Sequence, residues 1–370
     1  MANILELHVL QNYAPSNLNR DDTGAPKDAM FGSARRARIS SQCQKRAVRT
    51  YFGAERLLPD ERLGMRSRNL VSELVDRLKA DGMDSAKAAN TIEEALKVLK
   101  LSVKKKKDEA APQTEYLLFL GKGEIEKFAE IVKEFSEGFA SGKPSAEAKK
   151  AISETIGSVR AADIALFGRM VADAKNFNVD AACQVAHAIS THRVDREFDF
   201  FTAVDDRVQA DEAVSGMLGT VEFNSACYYR YAVIHLDKLS ANLNSDKELV
   251  AQTAAAFTKA FIEATPSGKQ NTFAALNPPD FIAVRVRDGM AINLSNAFER
   301  PVRSHDTHGL TGESVARLKE RWDAYASAYS IESTDLVLDL TGVWGEKFAV
   351  SNSRELVERA KALTATALGG

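Results

Sequence analysis

A chain of 370 residues with 45% hydrophobic and 27% charged side chains can bury a core without help from metals or disulfides. No apolar run approaches the ~18 residues of a membrane span, and three widely spaced cysteines, Cys43, Cys183 and Cys227, suit a reducing compartment and form no metal motif. Forty-nine Lys and Arg against 51 Asp and Glu leave a net charge of −2, which on average argues against a nucleic-acid partner.

The opening Met-Ala-Asn-Ile-Leu-Glu has no basic segment before an apolar stretch, so a cytoplasmic protein without a signal peptide is expected. Residues 3–10 alternate Leu5, Leu7 and Val9 with Glu6 and His8 and predict a mostly buried strand. A turn-rich stretch follows from Pro15 to Asp22, and Ser40 or Ser41 caps a helix running to about Phe52. Its Ala47, Val48 and Tyr51 are expected to point inward, with Lys45, Arg46 and Arg49 on one exposed stripe.

Residues 59–160 change character. Leu70, Val71, Leu74, Val75 and Leu78 mark one amphipathic helix, Ile92, Leu96 and Leu99 a second, and Ile125, Phe128, Val132 and Phe135 a third. Lys143-Pro144-Ser145 starts another, and the run Lys104–Lys107 reads as a loop. This is a helical insertion. Strand patterns are expected again over Asp163–Met170, over Cys183–Ile189 and most clearly over Glu222–Leu236. An Ala-rich helix over 245–264, a strand over Phe281–Val286, and helices at Val315–Ala326 and Arg354–Ala367 complete the pattern. Strands separated by helices predict an α+β protein with a sheet covered on one face.

Charge is not evenly spread. Lys27, Arg35, Arg36, Arg38, Lys45, Arg46 and Arg49 face one acid, Asp28, across 23 residues, so a segment of +6 sits on a mildly acidic body. Cations clustered around a helix start, with Ser40, Ser41 and Gln42, suit phosphate binding; a solvated basic face is the alternative. Phe198, Phe200 and Phe201 stand among acids and read either as core or as stacking groups for single-stranded bases. Gly268-Lys269-Gln270 could approach a backbone closely, but it lacks the rest of a phosphate-loop motif. Catalytic patterns are weaker. His187 and His192 are five apart, His305, Asp306 and His308 lack further ligands, and Asp21-Asp22 and Asp205-Asp206 read as turn residues. No metal, cofactor or active site is expected.

Several blocks occur in a familiar order: Asn19-Arg20-Asp21-Asp22, Lys27-Asp28-Ala29, Arg35-Arg36-Ala37-Arg38-Ile39-Ser40-Ser41-Gln42, Gly168-Arg169-Met170, Ala186-His187-Ala188-Ile189-Ser190-Thr191-His192, Phe201-Thr202-Ala203-Val204-Asp205-Asp206, Tyr229-Arg230-Tyr231-Ala232, Gly268-Lys269-Gln270 and Asn296-Ala297-Phe298-Glu299. Over residues 3–303 they resemble the CasC family, the backbone subunits of the type I-E CRISPR Cascade complex within the RAMP superfamily. The resemblance implies a palm built as a modified RNA-recognition-motif (ferredoxin-like) sheet over 1–58, 166–193 and 223–370. It also implies helical fingers over 59–165 and a β-hairpin thumb over 194–222.

Such a protein is not an enzyme. Copies of it polymerise along a CRISPR RNA, alongside other Cascade subunits, and kink the RNA at intervals so that it pairs with target DNA. The resemblance implies that Arg20, Ser40, Gln42, Lys45 and Arg49 hold phosphates, with Lys27, Arg46 and Arg169 beside them. Met170 and Phe201 would flank a displaced base, Phe200 stands where the family has Trp, and Lys269 and Gln270 would approach the RNA backbone. Arg300, Arg303 and Lys104, Lys105, Lys106 and Lys107 are candidates for the DNA side. An RNA endonuclease using His187, His192, Asp21 or Asp22, and a protein–protein adaptor with an incidental basic patch, are the competing functions.

Overall fold

A computed structural model describes residues 3–101, 103–104, 113–115, 117–156, 160–171, 174–203, 217–304, 308–346 and 348–369. Two compact units are present: Met1–Tyr51, Gln184–Asp237 and Ala254–Gly370 form one, and Phe52–Cys183 with Lys238–Thr253 form the other. In chain order the elements begin with β1 (Asn3–Ser16), β2 (Asp28–Phe31), β3 (Ala34–Ile39) and α1 (Ser41–Ala54). The helical segment contains β4 (Gly64–Ser67), α2 (Leu70–Ala80), α3 (Ser85–Val98), β5 (Val103–Lys104), β6 (Gln113–Thr114), β7 (Leu118–Gly121), α4 (Lys122–Glu134), α5 (Ser136–Ala140), α6 (Ala146–Thr155) and α7 (Ala162–Phe167). Then come β8 (Cys183–Val185), β9 (Ala188–Ser190), β10 (Glu197–Ala203), β11 (Met217–His235), α8 (Leu236–Asn242), α9 (Lys247–Glu263) and α10 (Gln270–Phe273). The chain closes with β12 (Phe281–Asp288), α11 (Gly309–Ala328), β13 (Thr334–Asp339) and α12 (Ser353–Ala367).

The main sheet of the first unit runs β13-β12-β1-β11-β9-β3-β2. Its centre, β12-β1-β11-β9, is antiparallel throughout, with α1 between β1 and β9 and α9 between β11 and β12. That is the βαββαβ ferredoxin-like arrangement. Register is fixed by β1, where Leu7 lies opposite Ala232 on one side and Val284 on the other.

The sheet is covered on both faces, not on one as its strand patterns suggested. Every residue of β1 from Ile4 to Leu10 is buried. Towards α1 and α9, Arg230 donates to Gln11 Oε1 (2.5 Å), Gln44 Oε1 (3.3 Å) and the Phe261 carbonyl (2.6 Å). On the opposite face, Tyr229, Tyr231, Phe281 and Val337 pack with Val315, Leu318 and Trp322 of α11. A polar network is sealed beneath α11. Glu6 Oε1 accepts from Tyr231 Oη and Ile292 N, each at 2.7 Å, and Glu6 Oε2 accepts from Arg287 at 3.0 Å. Arg285 meets Asp335 through two bonds of 2.9 and 3.0 Å and lies 3.5 Å over the Trp322 ring. Buried ions survive there because each is paired and hydrogen-bonded.

The second unit is helical around Leu70, Val71, Leu74, Ile92, Leu96, Ile125, Phe128, Val132 and Ile152, the stripes that spacing predicts. Asp84 caps α3 by accepting from Ala86 and Lys87 N–H, and Ser145 caps α6 by accepting from Ala148 N–H. Two expectations need correction. Asp163–Met170 is not a strand: residues 162–167 are helical, because Asp163 turns inward to accept Gly64 N–H at 2.7 Å and Gly168 ends the turn at φ +79°. Palm strands expected over 166–193 are confined to 183–190, and residues 52–58 and 166–183 belong to the helical unit. No helix among the described residues is long and apolar enough to cross a membrane.

Candidate nucleic-acid interface

With both sheet faces covered, the aromatics of the central strands are closed to ligand. Tyr229 and Tyr231 hydrogen-bond inward, to His8 (2.8 Å) and Glu6 (2.7 Å). Exposed cations gather instead at the β2–β3 side and around the start of α1. Asn19 organises this edge: its carbonyl accepts Lys27 N–H at 2.9 Å and its Oδ1 accepts Ser40 N–H at 2.8 Å. One residue, through its main chain and its side chain, thus draws Lys27 and the helix start together beside Arg20. Ser40 Oγ in turn caps α1 by accepting Cys43 N–H at 3.2 Å. Gln42 and Arg46 are exposed on the first turns, Lys45 and Arg49 are half-buried, and Val48 turns inward as expected. Burial pushes the Cys43 thiol up while Lys27 and Arg46 pull against it, which places both cations around this first turn.

The loop containing Lys269 closes on the same place. A Cβ on Gly268 would lie 2.3 Å from the Leu18 carbonyl oxygen, so only glycine allows this approach. Lys269 holds left-handed backbone angles, φ 52° and ψ 23°. Gln270 is spent internally, its amide donating to the Pro266 (3.0 Å) and Ala275 (3.1 Å) carbonyls. It shapes the loop that presents Lys269.

Three predicted cations are engaged by the protein itself, Arg36 and Arg169 buried and Arg35 paired at the surface. Arg36 is fully buried and bonds the carbonyls of Phe31, Ser190, Thr191, Phe298 and Glu299; it knots β3 to β9 and to residues 298–299. Arg35 pairs with Asp28, which Arg196 also reaches at 2.9 Å while bonding Glu222 at 3.2 Å. Arg169, expected beside the RNA, is buried in the helical unit between Glu124 (2.8 Å) and the Phe177 carbonyl (2.8 Å). Its glutamate partner also accepts Gly121 N–H at 2.8 Å, so Arg169 secures the start of α4. Met170, next in sequence, is 87% exposed in that unit.

The hairpin expected over 194–222 is formed by β10 and β11, with Phe201 opposite Gly219 and Phe200 opposite Thr220. Strand alternation sends Phe198 and Phe200 to one face and Phe201 to the other. Phe198, Phe200 and Phe201 are 67, 65 and 41% exposed, so none is core. The Phe201 ring lies over Gly219, where an added Cβ would meet it at 2.4 Å. β11 is continuous from this hairpin into the sheet centre, and the Arg196 bridge ties the hairpin base to β2.

Arg300 and Arg303 are exposed beside α11, where two adjoining clefts of about 450 Å³ share Arg300 and Arg317. Of the lysine run, the backbone of Lys104 is in β5; Lys105, Lys106 and Lys107 lie outside the described residues, as do Asp205, Asp206, His305 and Asp306. Asp21 is spent on a turn, accepting Thr23 N–H, Thr23 Oγ and Ala25 N–H at 2.8–3.0 Å, and the Thr23 bond holds its carboxyl below the usual range. His192 uses both ring nitrogens on backbone, the Arg193 carbonyl at 2.7 Å and Cys227 N–H at 3.3 Å. Among the described residues no three His, Cys, Asp or Glu side chains gather as metal ligands. Sequence reasoning missed β2 and β3, four and six residues long, because β2 is too short to show a period and Arg35, Arg36 and Arg38 mask the alternation of β3.

A ferredoxin-like sheet with a helical insertion, a β10–β11 strand pair and a cationic edge defines an α+β protein of the RAMP type. The chain belongs to the CT1975-like protein family, whose sequence pattern matches residues 5–362. It is similar to a chain of a structure described as a CRISPR RNA-guided surveillance complex, pre-nicking, with 31% identity and a TM-score of 0.87 over 98% of this chain and 100% of that one. A second chain, from a CRISPR RNA-guided surveillance complex, is 26% identical with a TM-score of 0.76 over 97% of this chain and 99% of that one. No curated protein matches the chain.

Proposed function

We propose that the chain is a backbone subunit of a CRISPR RNA-guided surveillance complex. Copies of it line up along one CRISPR RNA and beside other subunits of the complex. Arg20, Lys27, Gln42, Lys45, Arg46, Arg49 and Lys269 hold phosphates, and Ser40 sets the start of α1 among them. The Phe201 face of the thumb receives a displaced base, so the guide stays open to pairing with target DNA between kinks; Arg300 and Arg303 are the DNA-side cations. Sequence specificity then belongs to the guide, and the protein reads backbone. The observation that carries this reading is the end-to-end likeness to a surveillance-complex chain. The cationic edge supports it, because a sheet covered on both faces leaves that edge for a polyanion.

The protein holds RNA and does not cut it. His192 has both nitrogens committed and Asp21 is locked in its turn, which supports a scaffold over a nuclease. Light scattering after size exclusion with RNAs of increasing length in Mg²⁺, followed by a denaturing gel, tests both statements. Mass should rise in steps with RNA length over intact RNA. Shortened RNA would move the reading to a nuclease, and a fixed mass that ignores RNA would overturn it.

A further inference from the structure

His187 stands outside the residues assigned to RNA above. Its ring is exposed at the break between β8 and β9, and Arg38 Nη1 lies 3.1 Å from its Nδ1. A guanidinium has donors only, so Nδ1 accepts and the proton of the neutral ring sits on Nε2. Arg38 is itself fixed, its Nε donating to the Asp28 carbonyl at 3.1 Å. The Asp28 carboxylate is engaged by Arg35 and Arg196. Among the described residues no carboxylate reaches ion-pair distance of Arg38 or His187. The other charge facing the ring is Lys27, from the segment entering β2.

Two half-buried cations and an exposed N–H donor thus meet at one point with no anion among the described residues, and the α1 start with Arg46 adjoins it. We propose that Lys27, Arg38 and the Nε2–H of His187 form a phosphodiester subsite that extends the RNA track along the β3–β9 edge, with His187 as its pH-sensitive member. The inference rests on the reading of the chain as an RNA-holding subunit. Before RNA binds, burial, Arg38 and Lys27 hold the imidazole below its ordinary value of 6.5. A bound phosphate faces the ring with negative charge and reverses that bias: the added proton enters at Nδ1, displaces the hydrogen bond from Arg38 and leaves that guanidinium to the phosphate, so binding takes up a proton. Affinity therefore rises as pH falls.

Fluorescence anisotropy of a labelled oligouridine RNA, titrated with the full chain at fixed salt from about pH 8 to pH 5.5, tests this. A rise of one unit in the histidine value on binding gives at most about tenfold tighter binding per subunit at the acid end. His187→Gln keeps an amide donor without a titrating group and is expected to bind more weakly with a flat profile. Arg38→Gln should weaken binding across the whole range. An unchanged slope in His187→Gln overturns the proposal. So does acid-dependent self-association without RNA that His187→Gln removes, since a neighbouring chain's carboxylate would then be the anion. RNA binding that is absent at every pH, with Lys45→Glu no different from the parent, overturns the underlying reading instead.

Discussion

Buried ions in the sheet are set by individual side chains, and His8 shows their energetic consequence. Tyr229 Oη accepts Leu294 N–H at 3.1 Å and shares a hydrogen bond of 2.8 Å with His8 Nδ1. The His8 Nε2 is buried and unpartnered among the described residues, where a charged ring has no counter-ion or acceptor. Burial, then Arg285 and Arg287, hold His8 well below its ordinary 6.5. Below that value the unfolded chain takes a proton that the folded chain refuses, so stability falls as pH falls. The slope is at most about 1.4 kcal/mol per pH unit for one such group. His192, depressed mainly by its burial, acts with the same sign. Denaturant midpoints measured from about pH 7 to pH 5 should decline, and His8→Asn, which keeps an acceptor for Tyr229, should decline less. Equal slopes would remove His8 from the account. Arg36 makes the complementary point: a cation counted in the basic cluster satisfies five backbone carbonyls, so it supports the edge that other residues present.

Among elements, the β10–β11 hairpin is the most exposed in its chemistry. Phe201 lies across Gly219, a cross-strand pairing in which glycine lets the ring lie flat over the backbone. Gly219→Ala should push the ring off the strand and reduce RNA-particle yield as Phe201→Ala does, with the thermal midpoint moved little. Phe198→Ser, altering the other face, should not follow them. Particles formed at full yield by Gly219→Ala would detach Phe201 from RNA holding. The hairpin was expected only from the family resemblance, whereas the sheet half of β11 was legible in the sequence because it alternates cleanly through Tyr229, Tyr231 and Val233. The helices of the second unit were legible for the same reason, their apolar stripes recurring at helical spacing. Elements whose period is overwritten were not. Arginines at 35, 36 and 38 concealed β3, and the apolar run 164–166 fits a strand as well as a buried helical turn. At the site, cationic residues were legible as a cluster, but their direction was not. Arg169 and Arg36 differ from Arg46 only in the carbonyls and carboxylates that the fold brings to them from distant segments.

For the whole molecule, a net charge of −2 is compatible with the proposed polyanion binding because the cations are local and the covered sheet leaves the edge for RNA. The contrast with an open RNA-recognition sheet is physical. There, aromatics of the central strands stack bases; here Tyr229 and Tyr231 are buried with α11, so under the proposed function affinity comes from phosphates at the edge. Such affinity depends on salt. For single strands, log K falls with log salt with a slope of about −0.7 for each phosphate contact. Lys45→Gln and Arg49→Gln should each weaken RNA binding and flatten the slope by about 0.7 per subunit. Tyr231→Phe, which loses only the bond to Glu6 beneath α11, should change stability and leave the slope alone. Weakened binding with an unaltered slope in the Lys45 and Arg49 variants would mean that these cations act through the protein. A reduced slope in Tyr231→Phe would mean that RNA reaches the covered face, and the edge would lose its place as the binding track.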